Sequence, residues 1–262
     1  MLVTDSCFMD CRGCYLDKKD GEPLSAEENI RFAAILKSLG YEAITFSGGD
    51  PLARHDIHKI VKAVDAMGFT IHLDTTGKPF LHDNPEAVFP ASDIAKTVDL
   101  IGIPLDGSSD EIMQRFRTGT LSETLKILSL LDGHRCPISI NTVVHRGNVD
   151  DLANIYEVIT KYAEIIRWEL HQFVALGERS KLASKDLEIS DDDFAQAVAG
   201  IKNFRGIIIS PKPRQNKHNF TYLDFNGDLV RVKGDTKDIL FNIRKLSSEE
   251  LLLKILYMND AC

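Results

Sequence analysis

Short runs rich in β-branched and aliphatic residues recur down this chain, each followed by a longer amphipathic stretch, and that alternation limits the possible fold more than any other feature. Strand-like runs cover residues 2–4, 43–46, 69–73, 100–103, 138–144 and 165–173. Between them lie helical patterns. The first opens with a capping box, Ser25-Ala26-Glu27-Glu28, presents Phe32, Ile35, Leu36 and Leu39 on one face, and stops at Gly40. Further helices are expected over 57–67, around Ile94, and over 110–116, 121–131 and 152–162. Six βα units in series predict a parallel sheet with right-handed crossovers. Six are too few to close an eight-stranded barrel. The expected fold is α/β, a partial (β/α)6 TIM-type barrel spanning residues 1–205.

Beyond that the pattern changes. A helix over 191–204 closes the core, a strand over 207–210 follows, and 220–232 reads as a hairpin turning at Asn226-Gly227. A last helix covers 247–257. Residues 206–262 are expected to form a small C-terminal α+β extension covering the barrel mouth, with the basic, polar stretch 211–217 as a loop.

The 262 residues carry a formal net charge of −8, with 44% hydrophobic and 27% charged residues, which is ordinary for a globular protein. The acidic balance argues against a nucleic-acid-coating role. No apolar run approaches the roughly 20 residues needed to span a bilayer, and the first residues lack the order of a signal peptide. A cytoplasmic location with no membrane partner is the expectation.

Three of the five cysteines, Cys7, Cys11 and Cys14, fall within eight residues directly after the first strand. An odd count and tight clustering do not suit a disulfide framework, and metal binding is the better reading. Three thiolates on one loop can each ligate one iron of a [4Fe–4S] cube, leaving the fourth iron open. The alternative is a structural zinc site completed by a distant histidine or by Cys136. A second motif, Ser47-Gly48-Gly49-Asp50-Pro51, follows the second strand. Paired glycines let backbone approach a ligand closely, although Gly-Asp-Pro is also good turn chemistry.

With the cysteine loop and the glycine motif one βα unit apart, residues 1–175 resemble the radical S-adenosylmethionine (SAM) superfamily. The resemblance implies that Cys7, Cys11 and Cys14 bind a [4Fe–4S] cluster whose open iron chelates the amino and carboxylate groups of SAM. It implies that Tyr15 lies near the adenine and that Gly48-Gly49-Asp50-Pro51 holds the methionine amino group. Asp50 stands where glutamate is commoner, so the acidic character is kept. Thr76, Asp106 and Asn141 are implied contacts of the SAM ribose or carboxylate, with turn or capping roles as the alternative. The implied chemistry is reductive cleavage of SAM to a 5′-deoxyadenosyl radical that abstracts hydrogen from a substrate, with flavodoxin or ferredoxin as an electron donor.

Two substrate classes are open. The stretches 140–149, Arg167-Trp168 and 217–224 resemble segments of viperin-like enzymes, which dehydrate a nucleoside triphosphate; Lys212, Arg214, Lys217, Arg231 and Lys233 would then neutralise phosphates. Five basic residues on a hairpin and its approach are also what a solvated face looks like. The stretch 172–178 resembles a segment of enzymes that crosslink or epimerise ribosomally made peptides. Such enzymes often carry a cysteine-rich C-terminal domain, for which this tail offers only Cys262. A non-enzyme, either a structural zinc protein or a SAM-binding scaffold, is the third class. Single residues take plainer readings: Cys136 and Trp168 as core, His145 and His171 as strand-end candidates for substrate contact, and Arg115 and Arg117 as candidates to hold an anion.

Overall fold

A computed structural model describes residues 1–17, 21–81, 89–214, 219–233 and 236–259. Six parallel strands form one sheet in sequence order: β1 (Ala43–Phe46), β2 (Thr70–Asp74), β3 (Leu100–Pro104), β4 (Ile138–Val144), β5 (Ile165–Gln172) and β6 (Ile208–Lys212). The helices are α1 (Ala26–Ser38), α2 (Ile57–Ala66), α3 (Ala91–Thr97), α4 (Asp110–Met113), α5 (Leu121–Gly133), α6 (Leu152–Ile159), α7 (Glu178–Leu182), α8 (Ser184–Leu187), α9 (Asp191–Ala199) and α10 (Ser248–Asn259). Unbroken neighbour-to-neighbour parallel order with helical crossovers is the arrangement of a partial TIM-type barrel. Among the described residues no helix is long and apolar enough to cross a membrane.

Local chemistry accounts for the element ends. Ser25 and Glu28 close the capping box of α1 reciprocally, the Glu28 amide donating to Ser25 Oγ (3.1 Å) and the Ser25 amide to Glu28 Oε2 (2.7 Å). Thr120 and Glu123 do the same for α5. The helical layer packs Ile57, Ile60, Val61, Val64, Ile94, Leu128 and Leu131 against Phe46, Ile71, Leu73, Ile101, Ile103 and Ile138, all buried. Trp168 is fully buried on the helix side of β5, stacks on Tyr156 with ring centroids 6.0 Å apart, and donates its indole N–H to Thr142 Oγ1 (2.8 Å). Cys136 is fully buried as well. Both belong to the core, as expected.

The strand count is right, but its membership shifts. Residues 2–4 make only an isolated parallel bridge, Leu2 with Ser47, beside the end of β1. The sixth strand of the sheet is β6, which lies past the expected core boundary at 205 and pairs with β5 from Arg167↔Ile208 to His171↔Lys212. Pro211 sits inside it. A proline without an amide donor is tolerated in an edge strand, so the basic, polar stretch expected as a loop over 211–217 begins inside β6. Residues 215–217 of that stretch, including Lys217, and the terminal Cys262 lie outside the described residues.

A second, antiparallel sheet joins β7 (Asn219–Leu223), β8 (Asp228–Lys233) and β9 (Thr236–Asn242). The hairpin turns at Asn226-Gly227, with Gly227 at φ 93°. Leu223, Leu229 and Ile243 pack with Leu251 and Ile255 of α10 against Leu24, Phe32 and Ile35. At the opposite end Val232 meets Val174 and Leu176, just beyond β5. The small sheet therefore meets the parallel one in two places, beyond β5 and beside β1, where Leu2 donates its amide to the Leu223 carbonyl (2.8 Å).

Candidate active site

The C-terminal ends of the parallel strands surround a cavity of about 1030 Å³. Cys7, Cys11, Cys14 and Tyr15 line it, as do Gly48, Gly49, Thr76 and Asn141. Eight of the eleven expected site residues thus face one space; Asp50, Pro51 and Asp106 do not.

The cysteine loop is held from several sides. The Arg12 amide donates to the Phe116 carbonyl (2.9 Å) and the Asp10 amide to Thr118 Oγ1 (2.8 Å). Arg12 pairs with Asp186, and Arg179 with Asp10, tying the loop to α7 and α8. Lys237 of β9 donates to the Tyr15 carbonyl (3.1 Å) and to Asp17 (3.2 Å). Its inner wall is apolar: Cys11 packs with Phe116, Phe173, Ala183 and Leu187. A Cβ on Gly13 would run into Phe116, Leu187 and Phe173. That glycine inside the cysteine motif was the available sign of an aromatic wall there.

The second motif lies against the first by backbone contact. The Gly49 amide donates to the Thr4 carbonyl (2.8 Å) and the Asp50 amide to the Ser6 carbonyl (2.7 Å). Gly48 takes φ 148°, and a Cβ there would strike the Thr4 carbonyl; a Cβ on Gly49 would strike the carbonyls of Asp5 and Ser6. Only glycine permits this approach.

Asp50 itself is fully buried. One carboxylate oxygen accepts from the Leu52 amide (2.9 Å) and the Thr75 hydroxyl (2.7 Å), and the other accepts from the Thr76 amide (2.9 Å) and hydroxyl (2.5 Å). These four bonds brace the ends of β1 and β2. Pro51 is buried as the first residue of the following 3-10 turn. Asp106 is likewise fully buried. It accepts from the Val143 amide (2.6 Å) and from Arg117 Nε, and the other edge of that guanidinium reaches Cys11 Sγ, with Nη1 3.7 Å away. Burial holds the Cys11 thiol above its ordinary value, with the Arg117 charge opposing that rise.

A polar layer crosses the barrel lumen. Asn141 donates to Asp74 Oδ1 (2.8 Å), and His72 Nε2 lies 3.2 Å from the same oxygen. Gly102, on the strand between, supplies the gap, since a Cβ there would strike Asp74 and Asn141. Farther round, Glu169 contacts His171 (3.1 Å), Arg167 (3.7 Å) and Lys212 (3.9 Å). The His171 hydrogen bond, then nearby cationic groups, hold Glu169 down to about 2. Asp74 and His171 line the cavity.

His145 does not reach it. It is fully buried, stacked on Phe116 at 5.3 Å, and accepts at Nδ1 from the Gly147 amide (3.0 Å), with Nε2 unpartnered. Burial lowers its pKa to about 4. Arg115 bonds to the Gly147 carbonyl and to Glu111, away from the cavity. Of the basic residues expected to meet phosphates, Lys212 faces Glu169 and Arg214 pairs with Asp191 (2.8 Å). Arg231 and Lys233 lie on β8, and none of the four lines the cavity.

The donor set bears on the metal. Cys7, Cys11 and Cys14 lie on one loop and all line the cavity beside the glycine wall, a donor set that fits a cluster in which each thiolate binds a separate iron.

The radical SAM superfamily signature matches residues 1–159, and the chain belongs to that superfamily. Members use a [4Fe–4S] cluster and SAM, and these are its cofactors. The sequence is 27% identical to a probable GTP 3′,8-cyclase of Saccharolobus islandicus over 99% of this chain and 82% of that one. It is 23% identical to an AdoMet-dependent heme synthase of Oleidesulfovibrio alaskensis over 78% of this chain, which spans about half (52%) of that relative. Among solved structures, the fold resembles anSMEcpe with bound AdoMet and Kp18Cys peptide (TM-score 0.71, 17% identity, 96% of this chain and 79% of that one). It also resembles Streptococcus suis SuiB bound to S-adenosylmethionine (TM-score 0.73, 12% identity, 87% of this chain and 58% of that one).

Proposed function

We propose that this chain is a radical SAM enzyme in which Cys7, Cys11 and Cys14 hold the cluster, with SAM beside Tyr15 and the Gly48–Gly49 backbone. The observation that carries the reading is that these residues, with Thr76 and Asn141, open into one cavity of about 1030 Å³. Ligand pockets run from about 300 to 1,000 Å³, so the space accommodates a cofactor and a substrate together. When bound, the two cofactors supply one-electron cleavage of the sulfonium C5′–S bond and a 5′-deoxyadenosyl radical able to take hydrogen from a substrate. The chain's own residues orient and enclose. Asp50 fixes Thr75 and Thr76 beneath the glycine wall, and Phe116 and Phe173 shield the cysteine loop from water.

For the substrate, the charge around the cavity favours a peptide over a nucleoside triphosphate. Asp5, Asp10, Asp17 and Asp74 line it, against the guanidinium groups of Arg117 and Arg179, and those are already engaged by Asp106 and Asp10. A triphosphate needs several uncommitted cations. The nucleotide reading draws its support from the cyclase relative, which aligns with nearly the whole chain. The 206–262 segment is proposed to cover the mouth, since Phe220 of β7 lines the cavity. A low-potential donor such as flavodoxin or ferredoxin is the proposed electron source.

The test follows 5′-deoxyadenosine by mass spectrometry, using anaerobically reconstituted, reduced protein with SAM. Stimulation by a peptide encoded near the gene supports the favoured reading. Stimulation by one nucleoside triphosphate, with a modified nucleotide as product, would replace it with the other.

A further inference from the structure

Among the described residues Arg117 is a cavity-lining side chain whose charged group reaches a cysteine sulfur of the proposed cluster site, and its setting is too constrained to be incidental. The side chain is 16% exposed, although guanidinium groups rarely leave water without cause. Three partners fix it. Asp106, fully buried, takes Nε. The Phe116 ring lies under the guanidinium carbon, 5.2 Å from the centroid. The remaining edge delivers Nη1 to within 3.7 Å of Cys11 Sγ. Asp106 is in turn locked, because its second oxygen accepts from the Val143 amide and the Asn148 side chain donates to its carbonyl (2.8 Å). The chain from the β4 backbone through Asp106 to Arg117 thus ends on a sulfur.

We propose that Arg117, aimed by Asp106, donates a charge-assisted hydrogen bond to the Cys11 thiolate and thereby raises the reduction potential of the cluster that Cys11 helps to hold. The inference rests on the cysteine assignment made above. Arginine keeps its charge at any accessible pH. Hydrogen bonds to cluster sulfurs and nearby positive charge favour the form carrying the extra electron, and both are recognised determinants of potential. The Asp106 carboxylate offsets part of that charge, but it is the guanidinium whose Nη1 reaches the sulfur, 3.7 Å away. Asp106 is a positioning residue in this proposal.

The first readout uses the unaltered protein. In reduced, SAM-free enzyme labelled with 15N-arginine, pulsed electron paramagnetic resonance is expected to show a 15N coupling to the cluster, lost in Arg117→Gln. Potentiometric titration is expected to give a lower midpoint for Arg117→Gln, with Arg117→Lys, which keeps charge but not the forked reach, in between. Absence of the 15N coupling in the unaltered protein would overturn the proposal, as would equal midpoints in all three proteins. If Arg117→Gln takes up no iron, the labelled protein and Arg117→Lys still decide. Failure of the unaltered protein to assemble a cluster would instead strike the cysteine assignment, and iron and sulfide analysis separates the two cases.

Discussion

On the cysteine side of the mouth, backbone packs on backbone; on β5 and β6, charged side chains stand side by side on adjacent strands. The first region admits no Cβ at Gly48 or Gly49 and spends every oxygen of Asp50 on its own chain. The second consists of Glu169 with His171, Arg167 and Lys212, at distances from 3.1 to 3.9 Å. Close backbone packing tolerates no substitution, whereas long, half-exposed side chains exchange partners at little cost. Under the proposed function the first construction suits a rigid seat for a cofactor, and of the second only His171 lines the cavity.

The largest effect is expected at the cysteines. Changing Cys7, Cys11 or Cys14 to Ala should remove the brown colour and all 5′-deoxyadenosine formation while leaving the far-ultraviolet circular dichroism unchanged. Gly49→Ala comes next: the new methyl would collide with backbone carbonyls that cannot move aside, so SAM affinity, measured by equilibrium dialysis, should fall at least tenfold. In the core, Trp168→Ala should cost about 3–5 kcal/mol in urea unfolding, the usual penalty for emptying a large buried site. It serves as the control for damage without any role at the mouth.

Acid provides a subtler comparison. Burial lowers His145 to about 4, against an ordinary value of 6.5. Because the unfolded chain takes the proton first, stability is complete above about pH 6.5 and is lost as pH falls towards 4. Glu169, held at about 2, adds stability that is fully present above its ordinary 4.5 and is lost progressively as pH falls from 4.5 through about 2. Melting temperature in His145→Asn should therefore depend less on pH between 6.5 and 4. An unchanged slope would remove His145 from the account. The smallest effect is expected on the charged side: Lys212, 42% exposed and 3.9 Å from Glu169, should change stability on truncation to Ala by less than about 1 kcal/mol.

Much of this was legible beforehand where a local rule decides the outcome. The Ser25–Glu28 box, the Asn226-Gly227 turn and strands β1 and β4 follow from capping, turn chemistry and β-branched runs. What escaped depends on distant partners. Strand β6 contains Pro211, and only its edge position makes that acceptable. Strand β9 and the short α7 and α8 lack a strong periodic signal and exist through contacts with β8 and the cysteine loop. Asp50 and Asp106 could be recognised as strand-end acids, but not as inward braces, since the orientation of a carboxylate depends on which amides surround it.

The central claim is that Cys7, Cys11 and Cys14 carry a cluster with an iron open to SAM. Metal analysis of anaerobically reconstituted protein, coupled to SAM turnover under reduction, tests it most directly. About four irons and four sulfides per chain, with 5′-deoxyadenosine formed by the unaltered protein and by none of the three alanine variants, is the expected result. A colourless protein containing one zinc, or SAM cleavage surviving in Cys11→Ala, would contradict it.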